Sequence, residues 1–418
     1  MRTASNSLKL LFASLPELQH YFAPSFTTIK RWVQQVGYYK LIRKKTIAND
    51  WMLLVDASIQ IGDKKCVLML GIRESSFCKI KNRAVTLEDL EILSLRVVSI
   101  LNSEIITTML FEAELAVGNI SVICSDRGSD ILRGIRNFQE IRLETRHIID
   151  TAHYVSNMME AVLEKSPRWK EFRDMTTLAR RKMQRSRVSG ALPPSPRMKA
   201  RYMNVGGLIR WASDMLVLLD HGVSRPGLDI DELRKYLGGL LSYRDDIDYW
   251  NRLILIGEKV RHVVRTEGIH INIANSFEEA VSSLGMGVRE LQFFAQLTEF
   301  LQKQSKGTKP GECLIGSTEI LESLFGKIKY MEREQKAYGF TSLLLAAMAI
   351  VGPLDEATVV KAMTSVKLSD IKAWTEKEIG LSVQSQRRKI KEIVAEIRAS
   401  SAAIVRSKTA GILERRIA

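Results

Sequence analysis

The alternation of apolar and polar positions predicts an α/β region in the first half of the chain. Five apolar runs have the length and composition of buried strands, at 51–61, 65–72, 93–101, 120–124 and 141–149. Helical periodicity fills two of the intervals, at 103–117 and 131–138. Gly62 and Asp63 form a hairpin-type turn, so the first two strands should be antiparallel neighbours.

Two of the predicted strands carry an aspartate at the end of their apolar run. Asp56 follows Trp51–Val55, and Asp126 follows the run that ends at Cys124. Three meandering strands, then helix, strand and helix, is the order of an RNase H-like mixed sheet, whose first and fourth strands are central neighbours. Both carboxylates would then lie at one edge of the sheet, where open α/β sheets place their chemistry. Two such carboxylates are half of a divalent-metal site.

A third carboxylate is expected on a helix after the sheet. Ser317 can cap a helix whose apolar stripe is Leu321, Leu324, Phe325 and Ile328. Glu322 lies on a neighbouring face, with Gly326 above it and Lys329 further along. Glu319, one turn earlier, is the rival ligand. In the alternative interpretation, both acids are there only because the helix dipole favours negative charge in the first turn.

The remaining segments are predicted to be helical. We expect an α/β class chain with five segments: a helix-turn-helix-like DNA-binding region at 1–48, the first part of a catalytic core at 49–160, an α-helical insertion at 161–315, the final core helix at 316–352, and a basic helical tail at 353–418. Trp211 and Trp250 are expected in the core of the insertion.

The N-terminal segment has the order of a helix-turn-helix. Ser25 is the predicted N-cap of a second helix that Gly37 would end. The first turn of such a helix would offer its side chains to DNA bases. Those side chains are Thr27, Thr28, Lys30 and Arg31. A helical pair that packs on the next domain is the alternative.

The amino-acid composition also indicates a polyanionic partner. The 418 residues carry a formal net charge of +15, and such an excess of Lys and Arg most often serves nucleic acid. A basic surface without a partner is the alternative. The basic stretch 165–201, divided by Pro193–Pro196, could hold the DNA backbone by charge. Its last cations are Arg197, Lys199 and Arg201. A solvated helical face is the other interpretation of this stretch.

The cysteines and the apolar runs favour a soluble cytoplasmic protein. The four cysteines are isolated from one another and have no histidine at zinc-ligand spacing, at Cys66, Cys78, Cys124 and Cys313. No signal-peptide pattern is visible among the first residues, and the longest apolar run, Leu343 to Val351, is too short to cross a bilayer.

At these residues the sequence resembles the DDE transposases of bacterial insertion sequences. The resemblance rests on Val55–Asp56, on 125–130 followed by Gly134, on Glu322 with Lys329 after six intervening residues, and on 193–204. It implies that Asp56, Asp126 and Glu322 bind two catalytic Mg²⁺ ions, with Mn²⁺ as a possible substitute, and that Lys329 steadies transposon-end DNA. It also implies a dimer or higher oligomer on the DNA, in a bacterial, nucleoid-associated setting.

A further element, Asp150-Thr-Ala-His153, follows the predicted fifth strand. It is similar to the Cys/Asp-x-x-His element of hAT-like transposases, which implies an auxiliary role for both residues. Helix capping by Asp150 with a packed His153 is the alternative. The sequence as a whole predicts a transposase that cuts and joins DNA. An inactive, domesticated DNA-binding derivative and an RNase H-like nuclease are the competing interpretations.

Overall fold

The core of the protein is a mixed five-stranded sheet. The structure, a computed structural model, describes residues 1–18, 20–57, 64–80, 84–195, 205–221, 229–333, 340–380, 386–398 and 400. The strands are β1 (Ala48–Ala57), β2 (Lys65–Arg73), β3 (Glu91–Val98), β4 (Gly118–Ser125) and β5 (Arg146–Ile149). Their spatial order is β3-β2-β1-β4-β5, with β1 antiparallel to β2 and parallel to β4. This mixed sheet is consistent with the predicted RNase H-like core.

The five predicted strands are present, and their bounds differ by a few residues: β1 begins at Ala48, β4 is longer than predicted, and residues 58–61 of the first predicted strand lie outside the described residues. β3 lies about two residues earlier than predicted, at Glu91–Val98. β5 is only four residues long, because hydrogen-bonded turns occupy the preceding segment, including one from the Thr145 N–H to the Arg142 carbonyl. The antiparallel pairing of β1 with β2 is confirmed, while the predicted turn at Gly62 and Asp63 lies outside the described residues.

Two helices cover one face of the sheet. They are α4 (Ser103–Val117) and α5 (Ser129–Gln139), which follow the short α3 (Glu74–Phe77) along the chain. Leu53 and Val55 of β1 belong to this apolar layer, together with Ile123 of β4. Because successive side chains of a strand point to opposite faces, Asp56 and Asp126 belong to the other face.

The other face is covered by helices between residues 151 and 305. They are α6 (Thr151–Glu164), which lies mostly before the predicted insertion, and α7 (Pro167–Met183), α8 (Val205–His221), α9 (Ile230–Leu237), α10 (Arg244–Glu267), α11 (Ile273–Val281) and α12 (Val288–Ser305). Trp250 of α10 is 1% exposed and shares one continuous apolar cluster with Met52 and Leu54 of β1. The helices therefore pack directly on the sheet, and the division of the chain into segments remains a prediction.

The two ends of the chain pack against each other. α1 (Arg2–Ser14) and α2 (Phe26–Ile42) precede the sheet, and α13 (Glu319–Arg333), α14 (Leu343–Met348), α15 (Glu356–Ser365) and α16 (Leu368–Trp374) follow the insertion. The prediction that Gly37 ends a helix is wrong, since α2 continues to Ile42. Gly37 instead permits a close helix crossing: a Cβ there would meet the Leu345 carbonyl oxygen at 1.7 Å.

Buried polar contacts fix this packing of α2. The Lys40 ammonium, 1% exposed, donates to the carbonyls of Ala349, Val351 and Gly352 at 2.8–2.9 Å. Burial lowers the pKa of Lys40 to about 8. The three carbonyls satisfy all three donors of the ammonium. Helix α2 is therefore held against the segment that follows α14.

No helix in the described part of the chain is long and apolar enough to cross a membrane.

Candidate metal centre

The two strand-end aspartates lie side by side. Val55 of β1 pairs in parallel register with Ser125 of β4, so Asp56 and Asp126 leave the same edge of neighbouring strands. The Oδ1 of Asp56 accepts the backbone N–H of Ala57 at 2.7 Å, and the Oδ1 of Asp126 accepts that of Gly128 at 3.0 Å. Asp56 is 8% exposed. The sheet therefore brings two held carboxylates to one place.

The loop after β4 folds closely over the second aspartate. A Cβ at Gly128 would meet Asp126 Oδ1 at 3.0 Å. Gly128 is also the N-cap residue of α5, and Asp130 lies in the first turn of that helix, as predicted. A side chain at position 128 would press on the carboxylate, which explains the glycine.

Asp150 and His153 form a fixed pair at the start of α6. Asp150 is fully buried and caps the helix by accepting the Ala152 N–H at 3.0 Å. Its Oδ2 bonds the Nδ1 of His153 and accepts the Thr318 hydroxyl at 2.8 Å. The capping expected in the alternative interpretation is present, but His153 is not a packed core residue: its Nε2 lies 3.4 Å from Glu322 Oε1.

Glu322 completes the cluster from α13. Its Oε1 is buried and has no hydrogen-bond partner in the described part of the chain. The side chain of Glu319, the rival ligand, is instead paired with the Arg261 guanidinium. The predicted N-cap Ser317 accepts the Glu319 N–H at 3.3 Å, while Thr318 immediately precedes the helix. Glu322 is therefore the acid that α13 presents to His153.

These side chains share one electrostatic environment. Burial, and then the charge of Asp126, raises the pKa of Asp56 to about 7, and Glu322 contributes in the same direction. Burial also raises the pKa of Glu322. Burial alone would lower the pKa of His153, but its hydrogen bond to Asp150 and the surrounding carboxylates raise it to about 9. The surroundings of His153 therefore favour its protonated form, while Asp56 and Glu322 are shifted toward their neutral forms.

The donor atoms suit a divalent metal ion. Asp150, His153 and Glu322 offer ligand atoms that all lie within 4.8 Å of one another, and such a group could hold a metal. Within it, Asp150 already accepts from three donors, and its pKa is lowered by the hydrogen bond to His153 despite burial. The Oε1 of Glu322 is buried and makes no hydrogen bond in the described part of the chain, although the His153 Nε2 lies 3.4 Å from it, so it is an oxygen that a metal ion could still bind. Carboxylate oxygen is the ligand that Mg²⁺ prefers.

The predicted DNA-binding residues lie in three places. Lys329 is half-buried on α13, two turns beyond Glu322. The predicted recognition residues Thr27, Thr28, Lys30 and Arg31 lie in the first two turns of α2, where Ser25 caps the helix by accepting the Thr28 N–H. Arg197, Lys199 and Arg201 lie outside the described residues. The helix-turn-helix assignment remains a prediction, beside the observed packing of α2 on the C-terminal helices.

Sequence reasoning missed two features of the centre. It gave His153 an auxiliary role, whereas the ring lies between Asp150 and Glu322. It did not identify Thr318, whose buried hydroxyl joins the start of α13 to the start of α6. The Asp-x-x-His spacing was the signal for His153, since residues three apart on a helix are neighbours. No local pattern distinguishes Thr318 from an ordinary residue before a helix.

Comparison with known proteins gives a distant likeness among solved structures. No protein-family model and no curated protein matches the chain. Among solved structures, the chain is similar to a Drosophila P element transposase strand transfer complex, with a TM-score of 0.34 and 12% identity. The match covers 87% of this chain and 92% of the other.

Proposed function

We propose that the protein is a DNA transposase that cuts transposon-end DNA and joins it to target DNA by metal-dependent phosphoryl transfer. One observation supports the proposal: the charges of Asp126, Glu322 and His153, which are far apart in sequence, all act on Asp56, beside the group of Asp150, His153 and Glu322 whose ligand atoms lie within 4.8 Å of one another. Clustered acids with raised pKa values at the edge of an α/β sheet are typical of a functional site. The net charge of +15 supports a polyanionic substrate.

Each carboxylate has a role in this proposal. Asp56, Asp126 and Glu322 would hold Mg²⁺, or Mn²⁺ in its place, as two ions. Such ions lower the pKa of a bound water and stabilise charge on the phosphate that is attacked. The backbone N–H groups of Ala57 and Gly128 each hold one oxygen of an aspartate, which leaves the second oxygen for the metal.

His153 contributes a fixed positive charge. Its proton at Nδ1 is shared with Asp150, and its Nε2 faces Glu322. A cation here offsets the repulsion among the carboxylates before substrate binds. Asp150 acts through His153 and is a positioning residue.

DNA would be held by the basic and polar residues that the sequence predicts for this role. Lys329 would contact the transposon end, with Thr27, Thr28, Lys30 and Arg31 on α2, and Arg197, Lys199 and Arg201 beyond the proline segment. Two transposon ends must be joined in one event, so a dimer or larger oligomer on DNA is part of the proposal.

The experiment uses the DNA that flanks the gene on both sides as substrate, with the full-length protein and Mg²⁺. We expect strand cleavage at the element's ends, and a loss of at least roughly 1,000-fold in Asp126→Asn, because several kcal/mol of charge stabilisation depends on the ligand. Asp130→Asn is the matched control, since Asp130 lies in the first turn of the neighbouring helix. It should retain cleavage.

Cleavage that is unchanged in Asp126→Asn would show that the centre is assigned wrongly. Binding of these DNA ends without any cleavage would favour a transposase-derived binding protein. Cleavage of any DNA without strand joining would favour a nuclease on the same fold.

A further inference from the structure

The helix that carries Glu322 has an exposed face with an unusual composition. Leu321, Leu324, Phe325 and Ile328 bury the opposite side of α13. The exposed positions after Glu322 are Ser323, Gly326, Lys327, Tyr330 and Arg333, which we call the α13 stripe. It contains two cations, one aromatic ring and no acid. The stripe begins one residue after a proposed metal ligand, so whatever binds it is continuous with the centre.

The middle of the stripe is open to close approach. A Cβ at Gly326 would meet nothing within 4 Å, and Tyr330 is 68% exposed. Beside them lies a groove of about 500 Å³ between α13 and α14, whose far wall is apolar and includes Ala346, Ala347 and Ile350. An exposed tyrosine beside an open apolar groove offers a flat ring a place to stack.

The stripe carries a positive charge in its middle and another at its end. Arg333 is exposed at the end of α13. Lys327 is exposed between the metal centre and Tyr330. The cations are thus spaced along one line that leaves the centre, which complements a polyanionic strand.

We propose that the α13 stripe binds single-stranded DNA that leads away from the metal centre, with a base stacked on Tyr330 and phosphates near Lys327 and Arg333. This rests on the proposed function. Eleven residues separate Glu322 from Arg333, which is about 16 Å of helix. At roughly 3.4 Å per nucleotide along one strand, the stripe accommodates about five nucleotides.

Single-stranded DNA fits the stripe better than a duplex does. A duplex presents its phosphates and groove edges, and its base faces are already stacked. A single strand offers an unpaired base face to an aromatic ring and a phosphate chain to the cations, the combination typical of proteins that hold single strands. Gly326 lets the backbone come close to the helix between these contacts.

The test measures binding of the full-length protein to fluorescent oligonucleotides with EDTA present, so that no strand is cut. We expect Tyr330→Ala to weaken single-strand binding roughly 5- to 100-fold, the effect of one base–aromatic stack. Tyr330→Phe should bind like the unchanged protein, because the ring is retained. Lys327→Gln should make single-strand affinity less dependent on salt, by about 0.7 in the logarithmic slope.

Leu143→Ala is the control, since Leu143 is 84% exposed and lies between α5 and β5, outside every segment proposed to bind DNA. It should leave single-strand binding unchanged. Duplex affinity should change less than about 3-fold in Tyr330→Ala, and thermal unfolding should show that the variant is folded.

Two results would overturn the proposal: equal single-strand affinity of Tyr330→Ala and the unchanged protein, or an equal loss for single strand and duplex. If neither oligonucleotide depends on Tyr330, the stripe faces another kind of partner. Because binding is measured without metal, these outcomes are independent of cleavage. If the protein did not cleave DNA but bound single strands through Tyr330, the proposed function would be refuted and the proposed single-strand site would stand.

Discussion

Carboxylates are stabilised in different ways in the two parts of the candidate metal centre. The sheet edge, Asp56 and Asp126, consists of two carboxylates on neighbouring strands, held by backbone N–H groups. The helical wall, Asp150, His153 and Glu322, contains its own cation. Burial and like charge raise the pKa of Asp56, whereas the hydrogen bond to His153 keeps the pKa of Asp150 low. Two buried aspartates, Asp56 and Asp150, thus have pKa values that are shifted in opposite directions.

The difference shows where an added cation has most effect. Asp150 is already neutralised and fully hydrogen-bonded, so a metal ion would gain little from it. Asp56 is buried and Glu322 is half-buried, and the charge of His153 only partly offsets their repulsion. A divalent ion between the sheet edge and Glu322 would remove that repulsion. In this view the helical wall is a preformed support, and the sheet edge is the part that needs the metal.

The largest expected loss of cleavage comes from replacing Glu322, and Glu319 on the same helix provides the comparison. Glu322→Gln should reduce cleavage at least roughly 1,000-fold, since it removes a proposed metal ligand. Glu319→Gln removes only the partner of Arg261, an ion pair that is partly exposed, and should reduce cleavage less than about 10-fold and stability by less than about 1 kcal/mol. Rates on the flanking DNA and calorimetric Mn²⁺ binding measure both variants.

Each of the two variants is the control for the other, because Glu319 and Glu322 are one turn apart on α13. If Glu319→Gln lost Mn²⁺ binding and Glu322→Gln retained it, the ligand would be the earlier acid. Equal losses in both would mean that the helix, not one carboxylate, determines the site.

The next effect concerns stability without metal. The pKa of Asp56 is raised to about 7 in the fold, from an ordinary value of 3.8. Between these values the folded protein binds more protons than the unfolded chain, so stability falls as pH rises. Asp56→Asn removes this penalty while its side-chain oxygen can still accept the Ala57 N–H. In EDTA above pH 7 the variant should be more stable by ~2–4 kcal/mol, and near pH 4 the difference should vanish.

Urea unfolding at both pH values measures the difference. Asp130→Asn serves again as the control, because it changes the same residue type outside the cluster. A pH-independent difference between Asp56→Asn and the unchanged protein would contradict the raised pKa. Added Mn²⁺ should reverse the order of stability at high pH, since only the unchanged protein retains both sheet-edge carboxylates.

The sequence was sufficient for the sheet edge because its information is local. An apolar run that ends in an aspartate determines both the strand and the position of Asp56 or Asp126, and the order of elements predicted their adjacency. The helical wall was predicted only in part. Glu322 could be found on its helix face, but the preference over Glu319 depends on Arg261, 58 residues earlier in the chain. Such pairings leave no periodic pattern.

The N-terminal helix shows the same limit. Gly37 has the local appearance of a helix end, yet it lies inside α2 where that helix crosses Leu345. The glycine is required by a close approach of two backbones that are about 300 residues apart, as the hydrogen bond from Gln34 to Ser342 also indicates. Tertiary packing overrode the local propensity of glycine to end a helix.

The smallest expected effect tests whether the helical wall is only a support. Asp150→Asn retains an oxygen that can accept from His153 but removes the charge, so the raised pKa of His153 should fall toward its ordinary value of 6.5. We expect cleavage to fall about 10- to 100-fold, because the positive charge of His153 is then lost near neutral pH, and the loss to be greatest at high pH, where His153 is neutral. Asp229→Asn, which changes another capping aspartate at the start of α9, is the control. A pH-independent loss would mean that Asp150 only holds the helix. A loss as large as that of Glu322→Gln would make it a ligand, and the contrast between the sheet edge and the helical wall would disappear.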